Sequence, residues 1–142
     1  MAQHPIEVIL MRQLASSLAM PILVVDPVGT LLFYNEPAEG LLGQRYEETG
    51  ALPLATWTRL FRLTTEEGSP LALEARPLIM ALQQHRAVHG AFWSQGRDGV
   101  ARRIEATAFP LEGRGRRQLG AVAIFSQTRA PWGATGEAGG AP

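Results

Sequence analysis

The sequence predicts an α+β domain: a five-stranded antiparallel sheet with short helices packed on one face and a flanking helix at the N-terminus. Three features carry this expectation. Residues 21–35, PILVVDPVGTLLFYN, read as two apolar, partly β-branched runs around an Asp-Pro-Val-Gly turn, the pattern of a hairpin. Residues 88–127 hold three further extended segments joined by glycine-bearing loops. Between these strand-rich ends lie short helical patterns punctuated by Pro and Gly.

Pro5 suits a first helical turn, and Ile6, Ile9, Leu10, Leu14 and Leu18 follow at helical spacing. The helix must end before Met20-Pro21, because a residue preceding proline is pushed out of the α region. Its apolar stripe needs a cover, either the domain itself or the same helix of a second copy. These five residues are the candidate dimer interface. Asn35 is placed to cap a helix with Glu36, Pro37 and Glu39 in its first turn, where acidic side chains suit the helix dipole. Gly40–Gly43 closes that element. Residues 44–65 pattern weakly, with a short helix expected around Ala55–Phe61, and Glu74–Gln84 reads as helical with Leu78, Ala81 and Leu82 on one face. Strands are expected over Val88–Ser94, Ala101–Pro110 and Leu119–Gln127, joined by loops at residues 96–99 and 112–115. Ile104, Ala106 and Ala108 alternate with Arg103, Glu105 and Thr107, which predicts one wet face. Residues 128–142, rich in Gly, Ala and Pro, are expected to be disordered. The domain division is therefore 1–19 (helix), 20–127 (domain) and 128–142 (tail).

Composition narrows the function classes. The 142 residues, 46% hydrophobic and 18% charged, suffice for one domain with a substantial core. Thirteen basic residues balance thirteen acidic ones, so no general electrostatic pull draws the chain to nucleic acid or anionic lipid. That balance also removes charge repulsion as a barrier to self-association. No cysteine is present, which excludes disulfides, thiolate metal sites and a cysteine nucleophile. No leader pattern opens the chain, and no apolar run approaches the ~20 residues that span a bilayer. A cytoplasmic location is the expectation.

Three strings resemble the PAS domain family. PILVVDPVGTLLFYNEPAEGLLG is similar to its opening strand, Asp-x-x-Gly turn, second strand and Asn-x-x-Ala helix start. GSPLALEARPLIMALQQHRAV looks like its central helix and the approach to it. RRIEATAFPLEGRGRRQLGAVAIFSQ resembles its last hairpin, with the Pro-Leu pair and the Gly-Ala-Val run. Their order and separations span roughly residues 12–127. The resemblance implies helices packed on a five-stranded sheet, a small enclosed cavity, and dimerisation through a helix before the first strand. It implies a sensory or protein-interaction module. The family's ligands include haem, flavin, carboxylates and fatty acids, and some members bind nothing. No effector follows in this chain, so output must come from a partner protein, or the chain is a piece of a longer one.

The candidate pocket lining is Leu23, Val25, Leu32, Leu78, Leu82, Phe92, Ile104, Ala106 and Val122; these residues read first as plain core, and a cavity lined by them would favour a small apolar ligand. No cofactor is the first expectation, with haem and non-covalent flavin left open. Haem would need an axial ligand from His85, in the turn after Gln84, or His89, on the next strand. The branch of the family in which a thiol attacks flavin is excluded by the missing cysteine, while Trp57 and Trp93 could stack on a non-covalent flavin. No catalytic or metal-binding set is expected. The serines lack nucleophile-elbow surroundings, Glu47-Glu48 and Glu66-Glu67 read as solvated loop pairs, and two histidines without an acidic partner make a poor zinc site. Arg114, Arg116 and Arg117, joined by Arg102 and Arg103, could form one basic patch. The rival reading is a small enzyme using the cavity, which would require an acid or base facing it.

Overall fold

In the computed structural model, which describes residues 5–95 and 100–128, the elements follow the predicted order. Helix α1 (Ile6–Ser17) precedes the hairpin of β1 (Ile22–Val25) and β2 (Leu31–Tyr34). Then come α2 (Glu36–Leu42), α3 (Tyr46–Thr49), α4 (Leu54–Leu60), β3 (Leu63–Thr64) and α5 (Pro77–Gln84). Strands β4 (Val88–Gln95), β5 (Ala101–Glu112) and β6 (Gln118–Thr128) end the described chain. The sheet is antiparallel with strand order β2-β1-β6-β5-β4-β3, so β1 sits between β2 and the last strand. All five expected strands form. The sixth, β3, is an edge pairing of Leu63 with Ser94 and Thr64 with Trp93, too short to show alternation in sequence. The tail expected to be disordered and the loop at 96–99 lie outside the described residues.

Turn chemistry fixes the hairpin. Asp26 Oδ1 accepts from the N–H groups of Val28 and Thr30, and Gly29 N–H returns to Asp26 O at 2.9 Å with Gly29 at φ 93°. Asn35 caps α2 as the sequence indicated, and it also ties two elements together. Its Oδ1 accepts from Ala38 N and from Ile22 N at 3.0 Å, and its Nδ2 donates to Met20 O at 2.8 Å. The amide thereby clamps the α1–β1 junction to the β2–α2 junction. Asn35→Ala should cost about 2–3 kcal/mol, since it removes a cap and leaves the buried Ile22 N–H without this acceptor. Chemical denaturation checks this, and a loss below about 0.5 kcal/mol would deny the clamp.

The expectation of a sheet with one wet face holds for β4 and β5 but not for β1. Leu23 and Val25 face the helical layer formed by α2–α5, while Ile22 and Val24 are equally buried on the opposite face. There α1 lies across the sheet, and Val8 and Met11 pack with Ile22, Val24, Phe33 and Val122. Arg12 reinforces the contact, its guanidinium carbon standing 4.9 Å from the Phe33 ring centroid and 5.3 Å from that of Tyr46.

Candidate functional site

The interior between the sheet and the helical layer is where a ligand would sit. Seven of the nine predicted lining residues, Val25, Leu82, Ile104, Ala106, Leu23, Leu78 and Phe92, belong to the main core on that side. Leu23, Leu78 and Phe92 reach a small cavity there. Leu32 and Val122 do not belong to this set, because they pack in the second cluster beneath α1. The period of two along a strand explains the misplacement: in β6, Ala121, Ala123 and Phe125 take the inner face, so Val122 between them must point out.

The cavity is nearly closed, at about 10 Å³, room for one water. Its closure follows from the sheet's small residues. Ala106, Ala108, Ala121 and Ala123 form an alanine floor, and α5 settles directly onto β5 and β6. Gly90 helps at the helix start, where an added Cβ would stand 3.1 Å from Pro77 Cγ. What space remains lies between Leu23, Trp57, Phe61, Phe92, Phe125 and one charged residue, Arg76.

Arg76 is the feature that sequence reasoning missed. It caps α5 immediately before Pro77 and is only 7% exposed. Its Nη2 donates to Thr58 O at 3.0 Å, and its guanidinium carbon lies 5.8 Å from the Trp57 ring centroid. Its Nε and Nη1 have no hydrogen-bond partner. Among the described residues no carboxylate pairs with it. Burial away from a counter-charge pulls its pKa down to about 10. The available signal was a lone arginine set among Ala75, Pro77, Leu78 and Ile79, a charge where the pattern is otherwise core. Ser94 Oγ is a second buried polar atom without a partner.

The residues proposed for cofactors do not fit those groups. His85 takes the left-handed C-cap of α5 (φ 55°) and is exposed, while His89 points out of the opposite face of the sheet and meets Thr107 Oγ1 at 2.9 Å. Neither can present an imidazole to haem in the interior. Trp57 does line the cavity, but its Nε1–H is committed to Gly29 O at 2.9 Å and the adjoining space is too small for a flavin ring. Trp93 is held outside by Glu66, which also accepts from Arg103 at 2.9 Å. Those two donors hold the Glu66 carboxyl below its ordinary pKa.

The charged pairs resolve into local structure. Glu47 and Glu48 sit in α3 rather than a loop, and Glu47 pairs with Arg45. The two arginine groups do not form one basic patch. Arg102 and Arg103 lie near the start of β5 and Arg114–Arg117 beyond its end, roughly 30 Å apart along an extended strand. No cluster of three potential metal-ligating side chains occurs among the described residues. Among the described residues no helix is long and apolar enough to cross a membrane.

The opposite face of the sheet carries a larger, open groove of about 570 Å³, bordered by Met20, His89, Ala91, Glu105, Thr107 and Ile124. Beside it, α1 presents its apolar stripe to solvent: Ile6, Ile9, Leu10 and Leu14 are exposed, while Leu18 is partly covered. Packing through Val8 and Met11 leaves the rest of the stripe free.

An antiparallel sheet with its first and last strands adjacent, a helical layer enclosing one face and a flanking helix on the other define a single-sheet α+β class. No family model matches the sequence, and no curated protein does. Solved structures do. The PAS domain of a protein from Colwellia psychrerythraea is 18% identical with a TM-score of 0.58, over 85% of this chain and 96% of that one. The PAS domain of BvgS from Bordetella pertussis is 14% identical with a TM-score of 0.56, over 86% and 85%. A LOV protein of Rhodobacter sphaeroides is 14% identical with a TM-score of 0.65, over 95% and 71%. The chain has the PAS fold.

Proposed function

We propose that this chain is a cytoplasmic sensory and protein-interaction module that homodimerises through the α1 face of its sheet, with residues 20–127 as the module and 1–19 as the flanking helix. The observation that carries the reading is the exposed apolar stripe of α1 beside an open groove on the same face. Exposed leucines and isoleucines at helical spacing are costly to leave in water, and each fully covered side chain contributes about 1.5–3 kcal/mol. A second copy is the favoured occupant, because a two-fold interface lets the same stripe serve as donor and acceptor of the contact. The zero formal net charge opposes such pairing less than a strongly charged surface would. A signal would then be a change in how two modules sit together, passed to a partner protein.

In sedimentation equilibrium the full chain is expected at twice its 15.4 kDa mass, and Leu10→Glu with Leu14→Glu at the single mass. Both residues are exposed, so the substitutions should leave the fold's far-UV signature unchanged. A monomeric wild type, or a double variant that remains dimeric, would overturn the interface.

A further inference from the structure

We infer that the loop between β5 and β6, together with the end of α5, is a docking surface for an acidic segment of the partner protein that receives the signal. This rests on the sensory reading above and names the chemistry of that partner. Arg114, Arg116 and Arg117 stand together at the tip of the hairpin, and all three are exposed. Gln118 Nε2 donates to Leu82 O at 3.0 Å, which fastens the tip to the last turn of α5. His85 and Arg86 follow Leu82 by about one helical turn, ~5 Å along the axis, and are exposed as well. Arg86 thus joins the three loop arginines at one end of a domain whose formal net charge is zero.

Two further observations set this patch apart from a merely solvated loop. Its charges have no internal partner: among the described residues none of these arginines pairs with a carboxylate, whereas Arg45 and Arg103 do. The second is backbone strain. Among the described residues the non-glycine positions with positive φ are His85 at 55° and Arg116 at 62°, and both belong to this surface. Such residues are uncommon, persist only where the surroundings over-determine them, and cluster where proteins make functional contacts. The loop is fixed accordingly, with Gly113 N–H donating to Arg117 O at 2.7 Å and Arg117 N–H to Arg114 O at 3.2 Å. Arginines on a fixed turn lose less freedom on docking than arginines on a loose one.

Charge and surroundings choose the partner. Planar guanidinium forks pair two-pronged with carboxylates, so the Asp and Glu side chains of an extended acidic segment match them. Single-stranded nucleic acid is held through aromatic platforms, and residues 82–88 and 111–119 contain no Phe, Tyr or Trp. Docking on a bilayer adds an apolar face to the cations, and residues 112–118 supply none.

The test uses the full chain. Fluorescein-labelled octaglutamate is followed by fluorescence anisotropy in low and in physiological salt, beside labelled octaglutamine, a labelled thymidine octanucleotide and phosphatidylcholine–phosphatidylserine vesicles. Octaglutamate should bind saturably in low salt, weaken severalfold in physiological salt and shift the amides of residues 83–87 and 112–118. Octaglutamine should bind at least tenfold more weakly, and the oligonucleotide and the vesicles more weakly than octaglutamate. Combining Arg114→Gln, Arg116→Gln and Arg117→Gln should cost octaglutamate at least tenfold in affinity. The charge-matched control, Arg45→Gln with Arg59→Gln and Arg62→Gln, should change it less than twofold. All six arginines are exposed, so both variants should keep the wild-type far-UV spectrum. No saturable octaglutamate binding in low salt, equal binding of octaglutamine, tighter binding of the oligonucleotide or the vesicles, or an equal loss in the control would overturn the proposal. Should the loop variant fail to fold, the comparison of octaglutamate with octaglutamine on the wild type decides. A dimer that ignores octaglutamate retires this surface alone, and a monomer that binds it retires only the α1 contact.

Discussion

Replacing Gly120 with alanine is expected to destabilise the domain by about 3 kcal/mol or more, lowering Tm by roughly 10 °C. Gly120 lies near the start of β6, opposite Leu111, where the β5–β6 register shifts. Its φ of 139° is a conformation that side-chain-bearing residues rarely adopt. The space is closed as well. An added Cβ would fall on the carbonyl oxygen of Val25, inside van der Waals contact, with the Asp26 Cα only 3.1 Å away. Both obstacles are backbone, so neither can rotate aside. Relief requires β6 to move away from β1, and that pairing joins the two ends of the domain through Ile22–Ile124 to Val25–Ala121. Gly115, also at positive φ, is the control, since nothing stands within 4 Å of its Cβ position. Gly115→Ala should cost about 1 kcal/mol, the conformational part alone. Urea denaturation of both variants separates the effects, and equal losses would mean the Val25 contact matters little.

That glycine shows what the sequence did and did not make legible. The Gly-Ala-Val run was visible as a motif at residues 120–122, but its reason lies in a strand ninety-odd residues earlier. Local chemistry read well: Asp26 and Gly29 specified a turn, Asn35 a cap, and the alternation of β5 its faces. Elements with few residues read poorly. Leu63–Thr64 is too short for a period, and α3 over Tyr46–Thr49 has a single turn without a side-chain cap. The candidate site was the least legible part. Which strand residues face the helices depends on register, so the sequence pattern does not reveal that Leu32 and Val122 pack beneath α1. Whether a cavity is open depends on how closely α5 meets an alanine floor built from two different strands. Arg76 escaped notice because arginines are usually exposed, and its burial arises from helices distant in sequence.

Trp57→Ala is expected to have the other large effect, a loss of about 3–5 kcal/mol, as for other buried large-to-small replacements. Trp57 is 1% exposed and among the bulkiest fully buried side chains. Three interactions meet on it. Its ring fills the core beside Phe61 and the small cavity, its Nε1–H donates to Gly29 O at 2.9 Å, and the Arg76 guanidinium lies over its face. The bond to Gly29 joins α4 to the β1–β2 turn, where an added Gly29 Cβ would stand 3.2 Å from Leu54. Helix α4 is therefore tied at its middle, to the hairpin through Trp57 and to Arg76 through Thr58. Trp57→Phe keeps most of the volume and removes the donor, so it should cost about 1–2 kcal/mol, chiefly for the buried Gly29 carbonyl. Hydrogen exchange at the amides of residues 57–61 should rise in both variants, more in Trp57→Ala, because the anchors of α4 are lost before the sheet is disturbed. If exchange rose evenly across β1, β5 and β6 instead, Trp57 would be a general core residue rather than the pin of α4.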